Sequence, residues 1–147
     1  MQVQFDNIRH LDFRALAVQY VKWVSVPDKK HEFDFGVGPM LEFERWVNFE
    51  EGDHLVTRNL AKLSSYIGWY TSIGEKVSIS LYNIYQVGYD PISELWRHRA
   101  STSFQISDHL TRHIDLVVKF TGAYDARPIV PVSIFIYELS NGIRFRF

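Results

Sequence analysis

A period of two runs through most of this chain, and only an extended strand places alternate residues on opposite faces. From Leu41 to Phe49 the alternation is nearly unbroken. Leu41, Phe43, Arg45, Val47 and Phe49 share one side, and Glu42, Glu44, Trp46 and Asn48 share the other. Residues 76–87 set Val77, Ile79, Leu81 and Tyr85 against Ser78, Ser80 and Gln86. In 114–120 the pattern predicts Ile114, Leu116, Val118 and Phe120 facing inward, with Asp115 and Lys119 outward. Residues 15–26 read as a further long strand whose phase is less clean. Near the end, 129–139 and 143–147 are separated by Ser140-Asn141-Gly142. An Asn-Gly pair supplies the positive φ angles of a type I′ turn, so a hairpin is predicted there, with Arg144 and Arg146 opposite Ile143, Phe145 and Phe147.

Two segments fit a helical period instead. Asp53 can cap a helix start, and Val56, Leu60, Leu63 and Ile67 recur at three- and four-residue spacing, which predicts a helix over 53–68 ending near Gly68. Asp90-Pro91, followed by Ile92, Leu95 and Trp96, predicts a shorter helix over 90–98. No repeat or Pro/Gly-rich linker divides the chain. The expectation is one α+β domain over 1–147, a twisted antiparallel β-sheet or flattened β-sandwich of seven to eight strands with two helices.

At 147 residues the chain can bury a core without a disulfide or metal staple, and the absence of cysteine excludes thiol catalysis and disulfide frameworks. Sixteen basic against seventeen acidic residues leave a net charge of −1, too balanced to coat nucleic acid by bulk charge. The balance is uneven along the chain, more acidic before Lys76 and more basic after it. No apolar run approaches the roughly 20 residues that a membrane-spanning helix needs, so the chain is expected not to cross a bilayer. The opening residues Met1 to Asp6 lack the features of a signal peptide, which fits a cytoplasmic location.

Few residues suggest chemistry. Trp96-Arg97-His98-Arg99, followed by Ser101, Thr102 and Ser103, combines guanidinium, imidazole, ring and hydroxyl groups, a mixture suited to phosphate and to stacked bases. Arg112, Lys119, Arg144 and Arg146 extend this candidate anion-binding set for RNA or lipid head groups. His109 and His113 are four apart, but the glutamate of a metalloprotease motif is missing, and no metal site is expected. Glu42, Glu44, Glu50, Glu51 and Asp53 read as a solvated edge leading to the helix cap. Gly36-Val37-Gly38-Pro39 reads as a turn, since no GK[ST] follows. No G-x-S-x-G elbow occurs, so no catalytic residue and no cofactor is expected. Aromatics make up 16% of the chain, enough to make self-association plausible, with Trp69, Tyr70 and Trp96 as candidate subunit contacts and Tyr82 and Ile84 beside them.

The order of elements resembles the matrix proteins of non-segmented negative-strand RNA viruses, of rhabdovirus and bornavirus type. The likeness lies in Val24-Ser25-Val26-Pro27 with Glu32-Phe33-Asp34-Phe35, in 59–65 leading into Ile73-Gly74-Glu75-Lys76, in Tyr89-Asp90-Pro91-Ile92, and in 106–114. A lysine-rich arm and a proline-rich budding motif are missing, which makes the compact bornaviral type the nearer analogue. The resemblance implies a non-enzymatic virion protein that self-assembles as a homo-oligomer at the inner leaflet in the host cytoplasm. Its partners would be RNA or nucleoprotein and an anionic membrane surface. A capsid-like β-sandwich subunit and a small-ligand-binding β-barrel or enzyme are the alternatives.

Overall fold

The computed structural model describes residues 2–6, 11–28, 30–48, 54–129 and 133–145. All regular structure among them is β: β1 (Gln2–Asp6), β2 (Leu11–Val18), β3 (Val21–Asp28), β4 (His31–Asn48), β5 (His54–Ile73), β6 (Val77–Asp90), β7 (Leu95–His109), β8 (Ile114–Asp125) and β9 (Phe135–Phe145). They form one antiparallel sheet in the order β1-β2-β4-β5-β6-β7-β8-β9, and β3 also pairs with β4. β2 lies against Met40–Trp46 of β4 and β3 against His31–Val37. The two are successive halves of one strand interrupted at Gln19 and Tyr20, so the sheet has eight strand positions.

The α+β expectation is corrected to all-β. Residues 54–68 of the expected first helix form part of the twenty-residue strand β5, paired with β4 along its length and with β6 from Lys62 onward. The expected cap, Asp53, lies outside the described residues. The apolar residues that suggested a helical stripe divide between two strand faces, Val56 and Leu60 on one and Leu63 and Ile67 on the other. Tertiary pairing on both sides overrides that local periodicity.

The expected second helix is a four-residue turn, 91–94, followed by β7. The capping chemistry was legible but serves a hairpin. Asp90 Oδ1 accepts from the amides of Ile92 at 3.0 Å and Ser93 at 3.5 Å, and Glu94 closes the turn at φ 54°.

The hairpin expected at Ser140-Asn141-Gly142 is also overturned. Those residues continue β9 opposite Lys119, Val118 and Val117 of β8. Among the described glycines only Gly74, in the β5–β6 turn, has a positive φ, of 64°. The Asn-Gly signal yields because β8 offers an unbroken template through this stretch.

The buried residues of β4 include Met40, Glu42, Glu44 and Trp46, and those of β5 include Leu60, Lys62, Ser64 and Tyr66. No second layer covers this face among the described residues, so its burial comes from the sheet curling over itself. Side chains from strands three positions apart meet across the hollow, as Arg99 of β7 does with Glu42 of β4. The result is a curled half-barrel. At one end a small apolar cluster of Leu11 and Trp46 closes the interior, with Val56 and Ile129 packed against it.

The close approach of Gln19 to β4 requires a glycine at 38, where an added Cβ would lie 1.8 Å from the Gln19 carbonyl oxygen. Nothing lies within 4 Å of the same position at Gly142. Gly38→Ala should therefore lower the thermal unfolding midpoint, at a cost of about 1–3 kcal/mol. Gly142→Ala should leave the midpoint nearly unchanged, whereas a type I′ turn at 141–142 would make it clearly destabilising.

Candidate functional site

The strand registers place Arg14, Glu42, Glu44, Lys62, Gln86, Arg97, Arg99 and Asp125 on the concave face, contributed by six different strands. Arg14 Nε donates to Glu42 Oε1 at 2.7 Å and lies 3.3 Å from Glu44 Oε1. Lys62 Nζ pairs with the other oxygen of Glu42. From across the hollow, Arg99 donates to Glu42 at 2.7 Å, to Glu44 at 3.0 Å and to Asp125 at 2.6 Å. Arg97 Nη1 donates to Glu44 Oε2 at 3.3 Å, and the Trp46 indole N–H reaches that oxygen at the same distance. Glu44 is 0% exposed.

Removing two carboxylates from water costs several kcal/mol each unless cations and hydrogen bonds replace the solvent. Here four cationic side chains converge on the pair. Burial opposes ionisation of Glu42, but Arg14 and Lys62 outweigh it and hold its carboxyl below the usual range. Glu44 is pushed the other way, by burial first and then by the negative charge of Glu42. The pair therefore ionises in order, Glu42 before Glu44. These residues were expected at a solvated edge. Their alternate spacing was read correctly, but which face would be buried was not, because the neutralising cations lie from 20 to 57 positions away.

The expected anion-binding residues gather only in part: the register puts Arg97, Arg99, Lys119 and Arg144 on the concave side, and Lys119 and Arg144 line one shallow groove. Arg97 and Arg99 point into the hollow. His98 is on the opposite face, with Nδ1 2.6 Å from the Tyr85 hydroxyl. Arg112 is exposed in the turn between β7 and β8, about 40 Å along β7 from Arg97 at ~3.3 Å per residue. Lys119 is exposed on β8 and Arg144 on β9, and Arg146 lies outside the described residues. The phase expected for 114–120 is inverted too. Asp115 is 1% exposed and meets His109 Nδ1 at 2.8 Å, while Leu116 and Val118 face out. No cluster of three potential metal ligands occurs among the described residues.

The convex face is predominantly apolar, with Arg45, Asn59, Asn83, His98 and Asp108 as polar interruptions. Phe33, Trp69, Leu81, Phe104, Phe120 and Leu139 occupy one register row across six strands, with no polar residue among them. Of the expected contact residues, Trp69 and Trp96 lie exposed on this face, while Tyr70 is exposed from the concave side. Shallow grooves run over it where small residues such as Ser65, Ala100 and Gly122 lie between Tyr85, Tyr124 and Phe135.

No known protein family, curated protein or solved structure matches this chain.

The ordered ionisation carries a pH signature. With its native value raised, Glu44 contributes stability fully present below about pH 4.5 and lost as pH rises from there through its raised native value. Glu44→Gln should flatten this decline in the midpoint. Glu42, with its native value lowered, contributes stability present above pH 4.5 and lost as pH falls through its native value. Glu42→Gln should therefore destabilise at neutral pH, by about 3–5 kcal/mol, because Lys62 and Arg14 lose a buried partner. Thermal melts of both variants between pH 3 and 9, taken as an order-of-magnitude range of accessible conditions, check both signs.

Proposed function

We propose that this chain is a membrane-embedded β-protein of barrel type, with lipid hydrocarbon against its convex face and a polar interior sealed by ion pairs. One observation carries the reading: the distribution of polarity is the inverse of that in a water-soluble sheet. Among the described residues, twelve buried side chains are polar or charged and six are hydrophobic. Meanwhile Leu41 is 67% exposed and Leu139 69%, on the same outer face as Trp69 and Trp96. Strands that alternate apolar-out and polar-in are what a bilayer selects, because lipid tails solvate the outer row while the inner row must satisfy itself.

Lengths and areas agree. A tilted strand crosses the hydrocarbon layer in about 9–11 residues, and β4 through β9 have 18, 20, 14, 15, 12 and 11. The chain exposes 9835 Å², against about 7,800 Å² for a compact soluble monomer of its mass. Among the described residues no helix is long and apolar enough to cross a membrane, a criterion that does not address strands.

A bilayer position also requires the outer backbone edges of β1, β3 and β9 to be paired, since hydrocarbon offers them no partner. The ion pairs fill one end of the hollow, so the reading is of a sealed scaffold in the membrane, not an open channel. Matrix-type assembly on an anionic surface draws less support. It needs an outward cationic face, and Arg97 and Arg99 are committed to Glu42, Glu44 and Asp125.

The test is refolding from urea into phospholipid vesicles, compared with dilution into buffer. The bilayer reading predicts β-structure and protease resistance with vesicles only. In single-tryptophan variants, acyl-chain bromines should quench Trp69 and Trp96 strongly and the buried Trp46 weakly. A folded, soluble species in buffer that assembles without lipid would overturn the proposal in favour of matrix- or capsid-type assembly.

A further inference from the structure

At the closed end of the hollow, Arg58 of β5, Ser93 of the β6–β7 turn, Arg97 of β7 and Arg127 of the loop after β8 surround a cavity of about 110 Å³. The other lining groups are Asp90, Leu95, Pro128 and Ile129. Two guanidinium nitrogens here, Arg58 Nε and Arg97 Nη2, are buried without a hydrogen-bond partner among the described residues. Arg97 as a whole is 3% exposed. Its other nitrogens are committed, Nε to the Arg127 carbonyl at 2.9 Å and Nη1 to Glu44 at 3.3 Å. Leaving a charged donor unmatched in such a place costs more than a neutral hydrogen bond returns.

The nearby carboxylates do not complete the set. Asp125 Oδ2 lies 3.6 Å from Arg97 Nη2, at ion-pair range, while Arg99 donates to the same oxygen at 2.6 Å. Asp90 Oδ2 lies 3.6 Å from Arg58 Nε, and its other oxygen is held by the turn amides. Burial opposes ionisation of Asp90, but the amides of Ile92 and Ser93, the Ser93 hydroxyl and the Arg58 charge together outweigh it and keep the carboxyl below its ordinary value. Along the connected interior, Arg58 brings the cations to five, with Asp90 as the fourth carboxylate, and Arg127, exposed at the mouth, adds a sixth cation. A cavity of this volume holds several waters at ~30 Å³ each, or one tetrahedral oxyanion, which would answer both the excess charge and the orphan donors.

We propose that this cavity binds a phosphoryl or similar tetrahedral oxyanion, gripped by Arg58, Arg97 and Arg127 with the Ser93 hydroxyl beside them. Arg97 was expected from the sequence to hold an anion. Arg58 and Arg127 were not, since they lie 39 positions before and 30 after it. The ligand's chemistry is that of a phosphate monoester or diester, from a soluble metabolite or a phospholipid head group entering from the adjoining leaflet.

Binding is tested on the purified, folded chain in an uncharged detergent, or in plain buffer should it prove soluble there, so the result does not depend on the membrane reading. Inorganic phosphate and a short-chain phosphatidic acid are titrated separately, followed by calorimetry and by the thermal midpoint. Saturable binding of either supports the site, and preference for the second identifies a head group as the source. Arg127→Gln removes a cation from the mouth while leaving its backbone carbonyl for Arg97, so folding is retained. It should weaken phosphate binding at least tenfold, whereas Lys119→Gln, equal in charge but remote, should not. Absence of saturable binding by both probes, or equal weakening by both variants, overturns the proposal.

Discussion

Two adjacent carboxylates on the inner face of β4 set the terms for the rest of the molecule. Glu42 and Glu44 are buried in the concavity of a single curled sheet, where an ionised carboxylate is tolerable only with cations in direct contact. Arg14, Lys62, Arg97 and Arg99 meet that requirement from β2, β5 and β7. Because Arg99 also binds Asp125 on β8, the lattice ties together strands that share no backbone hydrogen bond. The curl and the lattice are mutually dependent. Flattening the sheet would separate β7 from β4 by about three strand spacings of ~4.8 Å, and the carboxylates would lose two of their guanidinium partners.

A polar interior of this kind changes what the outside must be. In water, burying ion pairs in preference to leucines forfeits hydrophobic stabilisation of about 25 cal/mol per Å² and leaves the apolar side chains exposed. In a bilayer the same arrangement is favourable, since the leucines and aromatics meet lipid and the charges meet one another. The two faces of the sheet are the observations on which the proposed bilayer environment rests. The row from Phe33 to Leu139 is the outer half of the arrangement whose inner half is the Glu42–Glu44 lattice.

Much of the β content was readable locally. The alternation in 41–48, 77–87 and 114–120 marks real strands, whereas Asp90-Pro91, read as a helix start, is a turn between β6 and β7. Errors arose where one local pattern fits two structures. Val56, Leu60, Leu63 and Ile67 fit a helical stripe as well as the two faces of a strand, and Asn141-Gly142 fits a turn as well as an edge strand with open space around Gly142. In both cases a neighbouring strand decided, through backbone pairing that no short window contains. The candidate sites fared similarly. Arg97 and Arg99 were visible as a concentrated charge, but their partners on β4 and β8 were not.

The sequence by itself determined that much of this chain is extended, which residues share a face in the strands it marked, and that no thiol chemistry is available to it. It left undetermined which face is inside, because period-two alternation is symmetric under exchange of interior and exterior. Only the tertiary structure breaks that symmetry, by bringing arginines and a lysine from distant strands onto Glu42 and Glu44. Once those charges are neutralised together, the polar face can close inward and the apolar face is left to whatever solvent suits it.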